Sequence, residues 1–171
     1  MAQSLSGHVL TEITGAETLY HRLVIVAGPP GSGKSFALRE LQRLRGWPRV
    51  NLNFTLSEKL LELNVKQRAL RVGRLVEDIV GEHAGDVLLL DNLELLFHPD
   101  LSQDPLRLLQ SLSRNRTIVA AWRGEYIGTS LTYAAPGHPE YRRYEEPQVG
   151  IVSSQDGLDA EAGPSTQENL A

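Results

Sequence analysis

The eight residues Gly28-Pro29-Pro30-Gly31-Ser32-Gly33-Lys34-Ser35 constrain the fold of this chain more than any other feature. They match G-x-x-x-x-G-K-[ST] in full, a pattern that brings its structural context with it. RLVIVAG (22–28) is a β-branched apolar run ending in the first glycine, and it reads as a buried parallel strand. SFALRELQRLR (35–45) follows, with Leu38, Leu41 and Leu44 at helical spacing, until Gly46 and Pro48 stop it. A strand, a glycine loop and a helix in that order form a phosphate cradle. Only glycine lets the backbone curl tightly enough to aim several N–H groups at one polyanion. The helix adds its positive end. Residues 28–36, Gly28 to Phe36, are therefore the expected nucleotide-binding segment. Lys34 reaches the β- and γ-phosphates, and Ser35 contributes a hydroxyl to Mg²⁺.

The rest of the chain repeats the alternation. Residues 9–20 read as short helical turns with Leu10, Ile13 and Leu19 inward. RVNLNF (49–54) alternates as a second strand, and Thr55 is placed to cap a helix through Leu60, Leu61 and Leu63 with Glu58 three residues on. KQRALRVGRLVEDIVGE puts Val72, Leu75, Val76, Ile79 and Val80 on one face. VLLLD (87–91) is the third strand. DPLRLLQSLSR is a helix with Asp104 as N-cap and Pro105 first, and TIVAAW (117–122) is the fourth strand. QVGIV (148–152) is a candidate fifth. Strands alternating with helices predict a three-layer α/β/α P-loop NTPase domain with a mainly parallel sheet of about five strands.

Residues 1–153 form the expected domain, and 154–171 an acidic tail expected to be disordered. Of the 21 acidic residues four lie in that tail, so the other 17 balance the 17 Lys and Arg. A neutral domain neither demands nor forbids nucleic acid. There is no cysteine, which removes disulfides and thiolate metal sites, and His8, His21, His83, His98 and His138 lack ligand spacing. The apolar runs are short for a membrane span and the N-terminus lacks a signal pattern, so a cytoplasmic protein is expected.

VLLLDNLELLF (87–97) carries the chemistry that the cradle lacks. A P-loop protein needs a second carboxylate near Mg²⁺, at the end of a strand beside the first, and Asp91 supplies it. Hydrolysis further needs a group to polarise water. Asn92 follows Asp91, and its amide can only position water weakly. Glu94 is the nearby acid, either the base or a solvated residue opening a short helix. Asn92 and Glu94 are thus the candidate catalytic residues, and slow turnover by the isolated chain is expected.

At the fourth strand's tip, Arg123 reads as a γ-phosphate sensor or a solvated loop residue, whereas Asn115 belongs at the far end. Residues 122–144 concentrate Trp122, Tyr126, Tyr133, Tyr141 and Tyr144 with Arg123, Arg142 and Arg143. An irregular insert whose tyrosines pack onto the sheet edge is the first reading of this segment, a protein interface the second, and nucleic-acid contact the least favoured. An arginine finger toward a neighbouring subunit is a further use. Arg68, Arg71 and Arg74 read as a solvated helix face.

Several segments together resemble the BrxF family, small P-loop proteins of type-three bacteriophage-exclusion (BREX) defence systems. These are GPPGSGKS, the NLN after it, LLLDNLELLF, DPLRLLQSLSRNRTIVAAW and LTYAAPGHPEYRRY, spanning roughly residues 20–145. The P-loop is generic, and DNLELLF, SLSRNRT and PGHPEYR carry the specific likeness. The resemblance implies an antiviral apparatus with a large ATPase, a DNA methyltransferase, a helicase and a phosphatase-like protein as partners. It carries phosphate and Mg²⁺ roles to Lys34, Ser35 and Asp91, and names no catalytic acid. ATP is expected over GTP because no N-K-x-D motif occurs. The alternatives are a small-molecule kinase and an initiator-like DNA-associated ATPase, and an oligomer is compatible with each.

Overall fold

The computed structural model describes residues 4–154. Five parallel strands form its centre: β1 (Leu23–Gly28), β2 (Arg49–Asn51), β3 (Val87–Asp91), β4 (Thr117–Ile127) and β7 (Gly150–Ser153). Their order is β2-β3-β4-β1-β7. Two short strands, β5 (Ser130–Tyr133) and β6 (Arg142–Glu145), extend β4 as an antiparallel ribbon. The parallel strands alternate side chains between two cores, as a sheet covered on both faces must. Val24, Val26, Leu89, Val119 and Val152 pack with α1 (Leu5–Ala16) and α2 (Lys34–Arg45). Leu23, Ile25, Leu88, Leu90, Ile118 and Trp122 meet α3 (Leu52–Leu60), α4 (Val65–Gly81) and α5 (Pro105–Leu112) on the other face. The result is the expected three-layer α/β/α P-loop fold, with five parallel strands and two antiparallel additions.

Some expectations change. The strand bearing Asp91 is not beside β1, because β4 lies between them. Asp91 still reaches the loop because α2 packs back across β4 toward β3 and β2. The second strand stops at Asn51, three residues earlier than its alternation predicts. The Asn51 side chain accepts the Phe54 N–H and so caps α3 in place of Thr55. Leu52, Leu56 and Leu60 then recur at four-residue spacing and are buried, whereas Leu61 is exposed. The N-terminal turns are one helix of 12 residues capped by Ser4, and Leu19, past its end, is exposed, as is Leu44.

The widest departure is β4, which continues five residues past Trp122. Gly128, at φ +62°, opens a two-residue turn joining Ile127 to Ser130. Gly124 lets β5 close, since a Cβ there would strike the Thr132 carbonyl. Beneath the ribbon the Phe97 and Tyr133 rings stack 3.4 Å apart, with Trp122 edge-on to both. Tyr144 donates from its hydroxyl to Asp104, and Arg142 to the Gln103 carbonyl. Tyr133 and Tyr144 therefore pack the sheet edge as the first reading expected, but from an ordered ribbon and not an irregular insert. Arg68 departs from a solvated face by donating to the Leu60 carbonyl at the end of α3. The expected tail lies outside the described residues except for Ser154, which is buried against β1's end. No helix among the described residues is long and apolar enough to cross a membrane.

Candidate functional site

The loop between β1 and α2 adopts the conformation its glycines permit. Gly31 and Gly33 have φ of +75° and +94°, left-handed values that strain any residue with a Cβ. Gly28 is needed for a different reason: a Cβ there would strike the Ser32 and Ser154 hydroxyls. Lys34 folds back over the loop and donates to the carbonyls of Gly28 at 2.8 Å and Pro29 at 2.7 Å. Burial pushes its ammonium below the usual lysine range, while the nearby Glu94 and Asp91 carboxylates oppose that shift and Arg123 adds to it. An ammonium held among carbonyls and partly desolvated gains strongly from an incoming anion.

Ser35, in the first turn of α2, donates to Asp91 Oδ1 at 2.9 Å. A hydroxyl and a carboxylate in contact are the hard oxygen pair that Mg²⁺ takes from a protein, leaving its other positions to phosphate and water. Their fit to that ion is good. Asp91 Oδ2 pairs with Arg49 at 3.3 Å, a partner that the sequence reading missed. Arg49 opens β2, whose register on β3 sets Asn51 opposite Asp91.

Asn92 has a different part from the one expected of it. Its φ is +55°, a backbone state that asparagine tolerates far better than glutamate. Its N–H donates to Asp91 Oδ1, and its carbonyl accepts from the Asn53 N–H. Asn92 works through its backbone, turning the chain so that Glu94 points back toward the cradle. Glu94 then opens the 3₁₀ turn Glu94–Phe97, as one reading of the sequence anticipated. It is half-buried and held by Asn53, whose Nδ2 donates to Glu94 Oε2 at 3.1 Å while its Oδ1 accepts the Leu95 N–H at 2.8 Å. Asn53 was also missed. The only sequence signal for it was the polar pair within NLN at a strand end.

Arg123 sits opposite Gly28 in the β1–β4 register, exposed and close enough to act on Lys34. Asn115 precedes β4 and so lies at the sheet's other end. Glu94, Arg123, Pro30, Tyr133, Glu140 and Tyr141 border a cavity of about 780 Å³ under the ribbon. Burial, then Glu94, raises the Tyr133 hydroxyl's pKa well above the usual tyrosine range, so it stays protonated beside that carboxylate. Together the loop, the Ser35–Asp91 pair, Glu94 and Arg123 form one concave site at the C-terminal edge of the parallel strands.

No family model and no curated protein matches the chain. Among solved structures it is similar to C. elegans PCH-2, at 15% identity and a TM-score of 0.37. That likeness covers 68% of this chain and 36% of the other, so the chain spans about a third of that protein's length. The fold assignment rests on the strand order and loop geometry given above.

Proposed function

We infer that this chain binds a nucleoside triphosphate with Mg²⁺, ATP by preference, and hydrolyses it slowly unless a partner completes the site. The observation that carries this reading is the contact of Ser35 with Asp91 at the mouth of the glycine loop. Two residues 56 positions apart meet where a triphosphate's metal belongs. Ser35 and Asp91 would hold Mg²⁺, which would supply charge neutralisation for the phosphates. Lys34 releases the loop carbonyls for the terminal phosphates, and the α2 N-terminus faces them. Glu94, near Lys34, is the carboxylate that acts as base and takes a proton from water. Its bond to Asn53 at 3.1 Å holds the carboxylate in one place. Arg123 has its guanidinium free to meet charge on the γ-phosphate.

The proposed biological setting is a type-three BREX antiphage system, with this chain as an accessory subunit beside the large ATPase, the methyltransferase and the phosphatase-like protein. Its support is the likeness of DNLELLF, SLSRNRT and PGHPEYR to the BrxF family. A specific observation favours a second reading, a small-molecule kinase. The cavity of about 780 Å³ beside Glu94 has room for an acceptor where hydrolysis needs only water. Calorimetric titration with ATP, GTP and Mg²⁺ tests the shared core, and absence of binding sinks both readings. Turnover measured alone and with the other BREX subunits separates them. Stimulation by a subunit supports the first reading, and robust transfer to nucleosides or metabolites supports the second.

A further inference from the structure

The direction in which a triphosphate must lie points to a second recognition surface. Lys34 folds over Gly28 and Pro29, so the terminal phosphate belongs on that side, facing Glu94 and Arg123. The nucleoside end must then leave past Gly33 and the first turn of α2. On that side lies a separate cavity of about 310 Å³, bordered by Ser6, Gly31, Gly33, Phe36, Glu40 and Ser154.

Three of these side chains, Phe36, Glu40 and Ser154, border the cavity with surface or hydrogen-bonding capacity left over. Phe36 is 64% exposed, although its helix buries Ala37, Leu38 and Leu41. Glu40 lies one turn further along the same face, about 6 Å along the axis. Side chains on a helix lean toward its N-terminus, which brings the Glu40 carboxylate back over the Phe36 turn. Ser6, from α1, donates to Glu40 Oε1 at 3.1 Å and fixes that carboxylate. Ser154 is 1% exposed, lines the cavity, and its hydroxyl has no hydrogen-bond partner among the described residues. A buried hydroxyl left unpaired is costly, and a ligand arriving there satisfies it.

We propose that this cavity reads the nucleoside as a ribonucleoside, with Glu40 accepting from the sugar hydroxyls and Phe36 offering its ring to the base. An ionised carboxylate only accepts hydrogen bonds, so its ligand must bring hydrogens. The 2′- and 3′-hydroxyls bring two within reach of the first turn of α2. Stacking on one exposed ring reads base identity only weakly, so the sharper discrimination falls on the sugar. The inference rests on the nucleotide-binding reading and adds sugar selection to it.

Dissociation constants with Mg²⁺ for ATP, 2′,3′-dideoxy-ATP and inorganic tripolyphosphate test it, in wild type, Glu40→Ala and Phe36→Ala. Wild type should bind ATP about tenfold to a hundredfold more tightly than dideoxy-ATP, the range for a hydrogen bond to a charged group. Glu40→Ala should erase that gap. Phe36→Ala should weaken both nucleotides by about fivefold to a hundredfold. Tripolyphosphate, which engages only the loop, should bind all three proteins alike. Equal affinity of the wild type for ATP and dideoxy-ATP overturns the proposal without any mutation, as does a sugar preference that survives Glu40→Ala. Binding of tripolyphosphate as tight as that of ATP overturns the nucleoside pocket alone. Failure of every probe to bind overturns the nucleotide reading and this inference with it.

Discussion

The two sides of the candidate site are built in opposite ways. The phosphate cradle comes from consecutive residues, Gly28 to Ser35, whose conformation follows from their own glycines. The acid side is gathered from three segments: Arg49 and Asn53 near β2, Asp91 and Glu94 at and just after the end of β3, and Arg123 on β4. A contiguous loop needs only its immediate neighbours to hold its shape. The acid side exists only while the sheet register and the Phe97–Tyr133–Trp122 cluster hold those segments together. One side should thus respond to single local changes with loss of binding, and the other with loss of rate.

The sharpest break is Lys34→Ala. It should lower triphosphate affinity by about a thousandfold or more, the loss of several charge-assisted bonds, while thermal melting still shows a folded domain. Unchanged affinity in that titration would remove the cradle from the account. Glu94→Gln should leave Mg²⁺-nucleotide affinity intact and lower stimulated turnover by about 10²- to 10⁴-fold, the usual size of general-base catalysis. Equal turnover in a phosphate-release assay would assign the base elsewhere. Asn53→Asp sharpens the comparison further, because it sets a second carboxylate where an amide now donates at 3.1 Å. That removes the donor that holds Glu94 and sets two like charges together, so stimulated turnover should fall by about tenfold or more. Unchanged turnover would mean that the Asn53 bond does not position Glu94 for the reaction. Tyr144→Phe is the mildest change. It removes one hydroxyl bond to Asp104 at the ribbon and should cost about 1–3 kcal/mol in a denaturant melt, with nucleotide affinity unmoved.

Much of this architecture was legible from pattern. The apolar run of β1, the buried face of α4, Asp104 with Pro105 opening α5, and VLLLD ending in a metal-type carboxylate all appear where their spacing placed them. The ribbon was not legible as a unit. Its turn, Gly128-Thr129 between GEYI and SLTY, is a recognisable hairpin signal, but the run TIVAAW ends so plainly at Trp122 that it hid the continuation. The second strand misled because RVNLNF alternates whether it is a strand or a helix start, and the side chain of Asn51 decides the matter.

Asn92 marks the division most clearly. In the sequence it stands where a glutamate was wanted, and it reads as a defect in the catalytic set. In the fold its left-handed backbone turns the chain, and the acid arrives two residues later under the control of Asn53. The sequence alone determined the phosphate cradle, its lysine and its metal-type carboxylate, because those depend on residue type and short-range geometry. The tertiary structure decided that β4 separates Asp91's strand from the loop's strand, that Arg49 and Asn53 attend the two acids, and that Ser154 closes against the loop. These are long-range pairings, set by sheet register and packing, and short-range sequence pattern does not encode them.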